Sequence, residues 1–202
     1  MARLIGSKHT LCRRLGEKIC DCAKCPVARR SYPKGQHGPD KTRRKISGYG
    51  KQLLEKQKAK RIYGILERQF ANYVQKASEK TGDTSKILLQ YLESRLDNVV
   101  YRAGFSATHA AARQLVNHGH VTVNGRKVDI ASAAIRVGDI IALRAQSQDK
   151  KIFTGLSEKL SKMDHPGWLS VDAQKTSIKV LNMPSVENPQ FDAKAVIESY
   201  SR

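Results

Sequence analysis

The 202-residue chain is short of acidic side chains and has no cysteine after position 25. Aromatic rings occupy only 6% of its positions, and no apolar run exceeds the four residues Ile140–Leu143. The last absence excludes a bilayer-crossing helix and the core of a signal peptide, so the protein is expected to remain where it is made. Confining cysteine to one cluster excludes a disulfide framework spread over the fold. Phosphate-cradling glycine loops, nucleophile elbows and helices with paired metal-binding histidines are missing, which leaves catalysis without a seat. His118 and His120 lie near Asp129, but all three flank a turn in a pattern that needs no acid–base role.

The deficit of acid leaves 37 Lys and Arg against 18 Asp and Glu, a net charge of +19. Ordinary soluble surfaces intersperse both signs, so the excess implies a polyanionic partner, nucleic acid before membrane. The charge is uneven. Residues 1–80 hold 21 basic and 6 acidic residues (net +15), whereas residues 81–202 hold 16 and 12 (net +4). The first part is the main electrostatic footprint.

The densest local pattern runs from Glu93 to Leu143. Leu88, Leu92, Leu96, Val99 and Val100 recur at helical spacing, which predicts a helix from about Thr84 to Ala103, stopped by Gly104. A second helix is capped by Thr108, buries Leu115 and Val116, and ends at Asn117-His118-Gly119. The period then changes to two on either side of Asn124-Gly125, a type I′ hairpin signal, and a last strand covers Ile140 to Leu143. The residues left outside are Arg95, Arg113, Gln114, His118, His120, Arg126 and Lys127, a set suited to phosphates.

Residues 1–46 have almost no hydrophobic periodicity, so a metal or RNA must hold them. His9-x2-Cys12 followed by Cys20-x-Cys22-x2-Cys25 offers five soft ligands for a tetrahedral zinc site that needs four. The spacings usual for iron–sulfur clusters match less well. The candidate RNA contacts of this arm are Arg3, Arg13 and Arg14, together with Arg29, Arg30, Lys34, Gln36, His37, Arg43, Arg44 and Lys45 on an extended basic loop between Arg29 and Lys45 that is broken by Pro33, Gly35, Gly38 and Pro39. From Lys51 to Lys80 the period is helical, with Gly64 separating two helices. Lys56, Lys58, Lys60, Arg61, Arg68 and Gln69 are read as RNA-facing, because Glu55 and Glu67 cannot balance the cations through neighbouring pairs. After Leu143 a short helix is expected over Ile152–Met163, before the His165-Pro166-Gly167 breaker. Trp168-Leu169 and Val196-Ile197-Tyr200 are expected to dock on the early helices.

Arg95-Leu96-Asp97, Gly104-Phe105, Ala112-Arg113-Gln114-Leu115-Val116 and His118-Gly119-His120-Val121-Thr122-Val123-Asn124-Gly125 resemble the S-four RNA-binding domain. Lys34-Gly35-Gln36-His37-Gly38, Glu55-Lys56-Gln57-Lys58, Arg61-Ile62-Tyr63-Gly64, Glu67-Arg68-Gln69-Phe70, Trp168-Leu169 and Tyr200-Ser201-Arg202 extend the resemblance to the bacterial small-subunit ribosomal protein S-four family. It implies an α+β fold with a basic arm (1–46), a helical domain built from both ends of the chain (47–92 and 152–202) and an inserted S-four domain (93–151). It also implies a structural, non-enzymatic role in the small ribosomal subunit, in the cytoplasm or in an organelle of bacterial descent. There the family binds a helix junction in the 5′ domain of the ribosomal RNA, nucleates assembly, contacts neighbouring ribosomal proteins and contributes to translational accuracy. Arg43, Arg44 and Lys45 would face incoming messenger RNA.

Metal-binding members of this family carry two cysteines separated by two residues and a later pair separated by four. Cys20 and Cys25 fit the second pair; Cys12 fits the first, with His9 in place of its partner, so His9 and Cys22 both remain open as the fourth ligand. Lys34 stands where relatives often have proline, and His109, Ala110 and Asn117 where cations are frequent, so contact from the second S-four helix rests on Arg113 and Gln114. Two other classes use similar parts: a free-standing RNA chaperone or translational repressor, and a zinc-dependent DNA-binding regulator. Enzymes that carry S-four modules need a further catalytic domain, for which this length leaves no room.

Overall fold

The computed structural model describes residues 6–7, 9–39, 46–148, 150–186 and 189–201. The fold is α+β, and the chain divides into two compact units, Met1–Leu88 with Glu187–Arg202, and Leu89–Val186. No helix among the described residues is long and apolar enough to cross a membrane.

In the first unit, α1 (Thr10–Leu15) is closed by Gly16 at φ 77°, a left-handed cap that glycine adopts without a Cβ penalty. Ser47 caps α2 (Gly48–Ile62) by accepting the Gly50 N–H. Gly64, at φ 61°, separates α2 from α3 (Glu67–Ser78), as the sequence predicts. Along α3 the buried residues Phe70, Val74 and Ala77 recur four and three apart, so the helix is held by one apolar stripe.

The boundary between the units falls inside α4 (Thr84–Glu93). The single helix expected over Thr84–Ala103 is broken here: Arg95 is extended (ψ 138°) and α5 (Leu96–Arg102) starts after it. Tertiary hydrogen bonds cause the break. The Leu96 N–H donates to the Ala133 carbonyl (2.9 Å), the Asp97 N–H to that of Ala131 (3.1 Å), and the Ile135 N–H to that of Ser94 (2.8 Å). Hydrophobic period alone cannot register a backbone partner forty residues away. Thr108 caps α6 (His109–Asn117) by accepting the Ala111 N–H, as expected.

The hairpin of β1 (Val121–Val123) and β2 (Arg126–Lys127) turns on Asn124 (φ 50°) and Gly125 (φ 78°). Strand β3 (Ile140–Leu143) pairs antiparallel with β1, placing Val123 opposite Ile141. Two short helices follow, α7 (Ala145–Gln148) and α8 (Leu156–Ser161).

Beyond α8 the structure departs from the expectation. Strands β4 (Leu169–Asp172) and β5 (Ser177–Val180) form a hairpin, and β5 pairs with the free edge of β3, giving the antiparallel order β2-β1-β3-β5-β4. Leu169, Val171, Ile178 and Val180 alternate about the turn, which puts Ile178 opposite both Ile141 and Val171. Trp168 and Leu169, expected on the early helices, lie instead in the core of the second unit with Leu96, Val99, Val116 and Ile141. Residues 152–186 therefore belong with the S-four portion and not with the helical domain. Burying Trp168 and completing a sheet edge outweigh proximity to the C terminus.

The last segment does return. In α9 (Ala193–Glu198), capped by Asp192, Val196 is buried; Gln52 on α2 donates to Glu198 (2.8 Å), and the Asp192 N–H donates to Glu55 (2.9 Å). Phe191 meets Tyr63 edge-on at 6.3 Å, and Tyr200 packs 6.1 Å from Phe70.

Candidate metal centre and nucleic-acid interface

Helix α1 carries Cys12 on its buried side, His9 occupies its N-cap, and the following loop brings Cys20 and Cys25 back to the same point. The four ligand atoms lie within 4.8 Å of one another, and His9 Nδ1 is 3.6 Å from Cys20 Sγ and 3.7 Å from Cys25 Sγ. Tetrahedral zinc with ordinary Zn–S and Zn–N bonds separates its ligands by about 3.5–3.8 Å, so the donor set fits such an ion. Cys22 is not in the cluster, and His9 converges in its place. Burial raises the Cys12 thiol to about 11; the Ile19 backbone N–H opposes this, and Cys20 adds to it. Such crowded thiols ionise readily only beside a cation.

Around this cluster the arm folds on its own backbone. Arg13 donates to the carbonyls of Tyr32 (3.0 Å) and Pro33 (3.2 Å) and lies 5.3 Å from the Tyr32 ring centroid, so it braces the arm. Gly38 is required by shape, because a Cβ there would stand 2.1 Å from the Pro33 carbonyl oxygen. The resulting turn leaves Lys34, Gln36 and His37 exposed, beside exposed Arg14, Arg29 and Arg30. Lys34 donates to Ser7 Oγ (2.9 Å), and Arg61 to the Ser7 carbonyl. Arg3, Arg43, Arg44 and Lys45 lie outside the described residues.

Helix α2 corrects one expectation. Lys56 and Lys60 both pair with Glu67 (3.0 and 2.5 Å), and Lys58 pairs with Glu17 (2.7 Å), across loops and not along the helix. These lysines are largely withdrawn, with side chains only 12–18% exposed. Burial acts to raise the Glu67 carboxyl, but hydrogen bonds from Lys60, Tyr200 and Lys56 outweigh it and hold the group at about 2. Tyr200 donates to Glu67 (2.6 Å), and its phenol is pushed well above the usual range by burial and by that carboxylate. Arg68 is exposed, while Arg61 and Gln69 are half-buried.

In the second unit two predicted contacts are interior. Arg95 is 1% exposed and grips Asp97 through two hydrogen bonds (3.0 and 2.6 Å). His120 is 7% exposed, meets Ser147 Oγ at 2.9 Å and stands edge-on to Phe153. Burial pushes His120 below its ordinary value, and the charges of Lys150 and His118 push the same way. Lys150 is thus a cation at this surface that the sequence reading missed, hidden in a loop without period. Gln114, His118, Arg126 and Lys127 are exposed, and Arg113 is half-buried. Lys127 is laid across Gly119, whose missing Cβ would come within 2.3 Å of its Cε.

Also unforeseen is a polar cluster beneath α6. Buried Glu93 accepts from Asn98 (2.6 Å) and from both sides of the Arg102 guanidinium (3.1 and 2.7 Å); Asn98 Oδ1 meets His109 Nε2 (3.1 Å), and His109 stacks on Tyr101 at 3.7 Å. His109 therefore organises its surroundings where a surface cation would merely protrude.

Residues 3–93 match the family described as the ribosomal protein S4/S9 N-terminal domain, and residues 94–141 match the S4 domain. Among curated proteins the chain is similar over its full length, and over theirs, to three named small ribosomal subunit protein uS4: that of Roseiflexus castenholzii (48% identity), of Acetivibrio thermocellus (47%) and of Herpetosiphon aurantiacus (48%).

Proposed function

Since the chain belongs to the uS4 family of small ribosomal subunit proteins, we propose that its exposed cations dock it on small-subunit ribosomal RNA and that a zinc ion at His9, Cys12, Cys20 and Cys25 holds the arm in the docking shape. The protein is a structural constituent of the small subunit and not an enzyme. Its RNA target is the helix junction of the 5′ domain, which it binds early to nucleate assembly beside neighbouring ribosomal proteins. Arg43, Arg44 and Lys45 face incoming messenger RNA, where the protein contributes to translational accuracy.

The observation that carries this reading is the split between spent and available charge. Arg13, Lys56, Lys58, Lys60 and Arg95 are tied to internal partners. Arg14, Arg29, Arg30, Arg68, Arg126 and Lys127 stand exposed on the two units. Exposed Lys and Arg neutralise phosphates and release counterions, which supplies affinity. The folded backbone of each unit holds them in a set arrangement that complements RNA shape, which supplies specificity. Zinc, when bound, would cross-link α1 to the Cys20–Cys25 loop and so present the arm's arginines in one arrangement.

The test is binding of the full-length protein to a transcript of the 5′ domain, with random transcript and duplex DNA as competitors, across a salt series. Affinity for the domain should exceed that for both competitors and fall steeply with salt. Equal affinity for duplex DNA, or a flat salt response, would overturn the reading. Metal analysis of protein isolated from washed subunits should find one zinc per chain.

A further inference from the structure

Aromatic side chains are few here, seven Tyr, four Phe and one Trp, and the fold withdraws all of them but one. Phe70, Phe105, Phe153, Phe191, Trp168 and Tyr63 are buried, and the tyrosines at 32, 73, 91, 101 and 200 are half-buried. Tyr49, in the first turn of α2, is 62% exposed. Ile46, 51% exposed, leans on Gly50, where a Cβ would meet Ile46 Cγ2 at 2.9 Å. On the other side Gly48 opens on free space, with nothing within 4 Å of the position its Cβ would take. The ring is therefore approachable, with no side chain on either adjacent residue to block a flat ligand.

We infer that Tyr49 is a stacking platform for an unpaired nucleobase of the ribosomal RNA. The inference rests on the proposed RNA-binding function and adds to it a base contact that is not electrostatic. Ser47, Gly48 and Lys51 around the ring are exposed, and residues 1–80 carry a net charge of +15. Such surroundings favour RNA over a protein partner, because the cores of protein interfaces are depleted of charge, whereas single-stranded RNA is held by cations and aromatic rings together. Base stacking is tolerant of ring substituents, so the phenol oxygen is dispensable and the ring is not.

The experiment compares wild type, Tyr49→Phe and Tyr49→Ala as full-length proteins binding the 5′-domain transcript over a salt series, with Arg68→Ala as the electrostatic reference. Because the position is exposed, the variants should fold as wild type does, which circular dichroism checks. Tyr49→Phe should bind within about twofold of wild type, and Tyr49→Ala should lose about 5- to 150-fold, the range for one stacked base. The slope of log affinity against log salt should stay unchanged in Tyr49→Ala and become shallower by about 0.7–0.9 in Arg68→Ala. Wild-type affinity in Tyr49→Ala overturns the inference, as does equal loss in Tyr49→Phe or a shallower slope in Tyr49→Ala. Unchanged RNA affinity with loss of a neighbouring protein on reconstitution would reassign the ring to a protein contact. A wild-type chain that did not prefer the transcript to random RNA would instead bring down the functional reading, and the stacking contact with it.

Discussion

The N-terminal arm and the sheet-bearing unit solve the same problem by opposite means. In the sheet-bearing unit, Leu96, Val99, Val100, Val116, Val121, Ile141 and Ile178 are fully buried in one apolar cluster, and each such side chain stabilises by about 1.5–3 kcal/mol. The arm buries little beyond Cys12, Ile19, Cys25 and Val27. It relies on a four-ligand cluster, the Arg13 brace and a glycine-dependent turn. An element with many exposed cations cannot also assemble a large apolar core, so its order must come from cross-links. The lesson is that the strongest electrostatic footprint sits on the least self-sufficient part of the chain.

Three experiments break or sharpen that contrast. On the proposed zinc site, adding a chelator, or replacing Cys12 by Ser, should abolish hydrogen-exchange protection over residues 9–39, since a structural zinc would contribute on the order of 10 kcal/mol to a small site. The unfolding midpoint reported by Trp168, buried in the other unit, should not move; a joint shift would erase the distinction. Arg95→Ala should act in reverse. It strands the buried Asp97 carboxylate and should cost the sheet-bearing unit about 3–5 kcal/mol in denaturant unfolding, leaving metal content untouched.

The smallest effect belongs to Glu67, half-exposed in its ion pairs. Its folded value of about 2 lies below the ordinary 4.5. Its contribution is therefore complete above about pH 4.5 and is lost as pH falls toward 2. Glu67→Gln should be less stable than wild type at neutral pH by at most about 1 kcal/mol after solvent screening, and the gap should close over that acid window. A gap independent of pH would assign the effect to packing against Tyr200.

Patterns that repeat over a few residues were legible in advance. The Thr108 cap, the Gly64 break, the Asn124-Gly125 turn and β3 are where local chemistry puts them. The group of soft ligands was legible in the sequence; that His9 and not Cys22 converges with the other three emerged only when the loop brought His9 Nδ1 beside Cys20 and Cys25. The fates of individual cations were not legible. Arg95 and Arg113 look alike in sequence, yet one is sealed against Asp97 and the other reaches the surface. Lys56 and Lys60 found Glu67 across a turn, where helical neighbour rules do not look.

Composition and short-range period by themselves determined that this protein is cationic, holds a soft-ligand cluster near its start and folds a helix pair into a hairpin. These follow from bonded geometry and local hydrogen bonding, which need no distant partner. Tertiary structure alone decided that β4 and β5 extend the sheet, that α4 and α5 part at Arg95, and that Lys56, Lys60 and Arg95 are tied to internal carboxylates. A strand edge, a buried carboxylate and an ion pair each depend on a residue far along the chain, and their free energies exist only once that residue arrives.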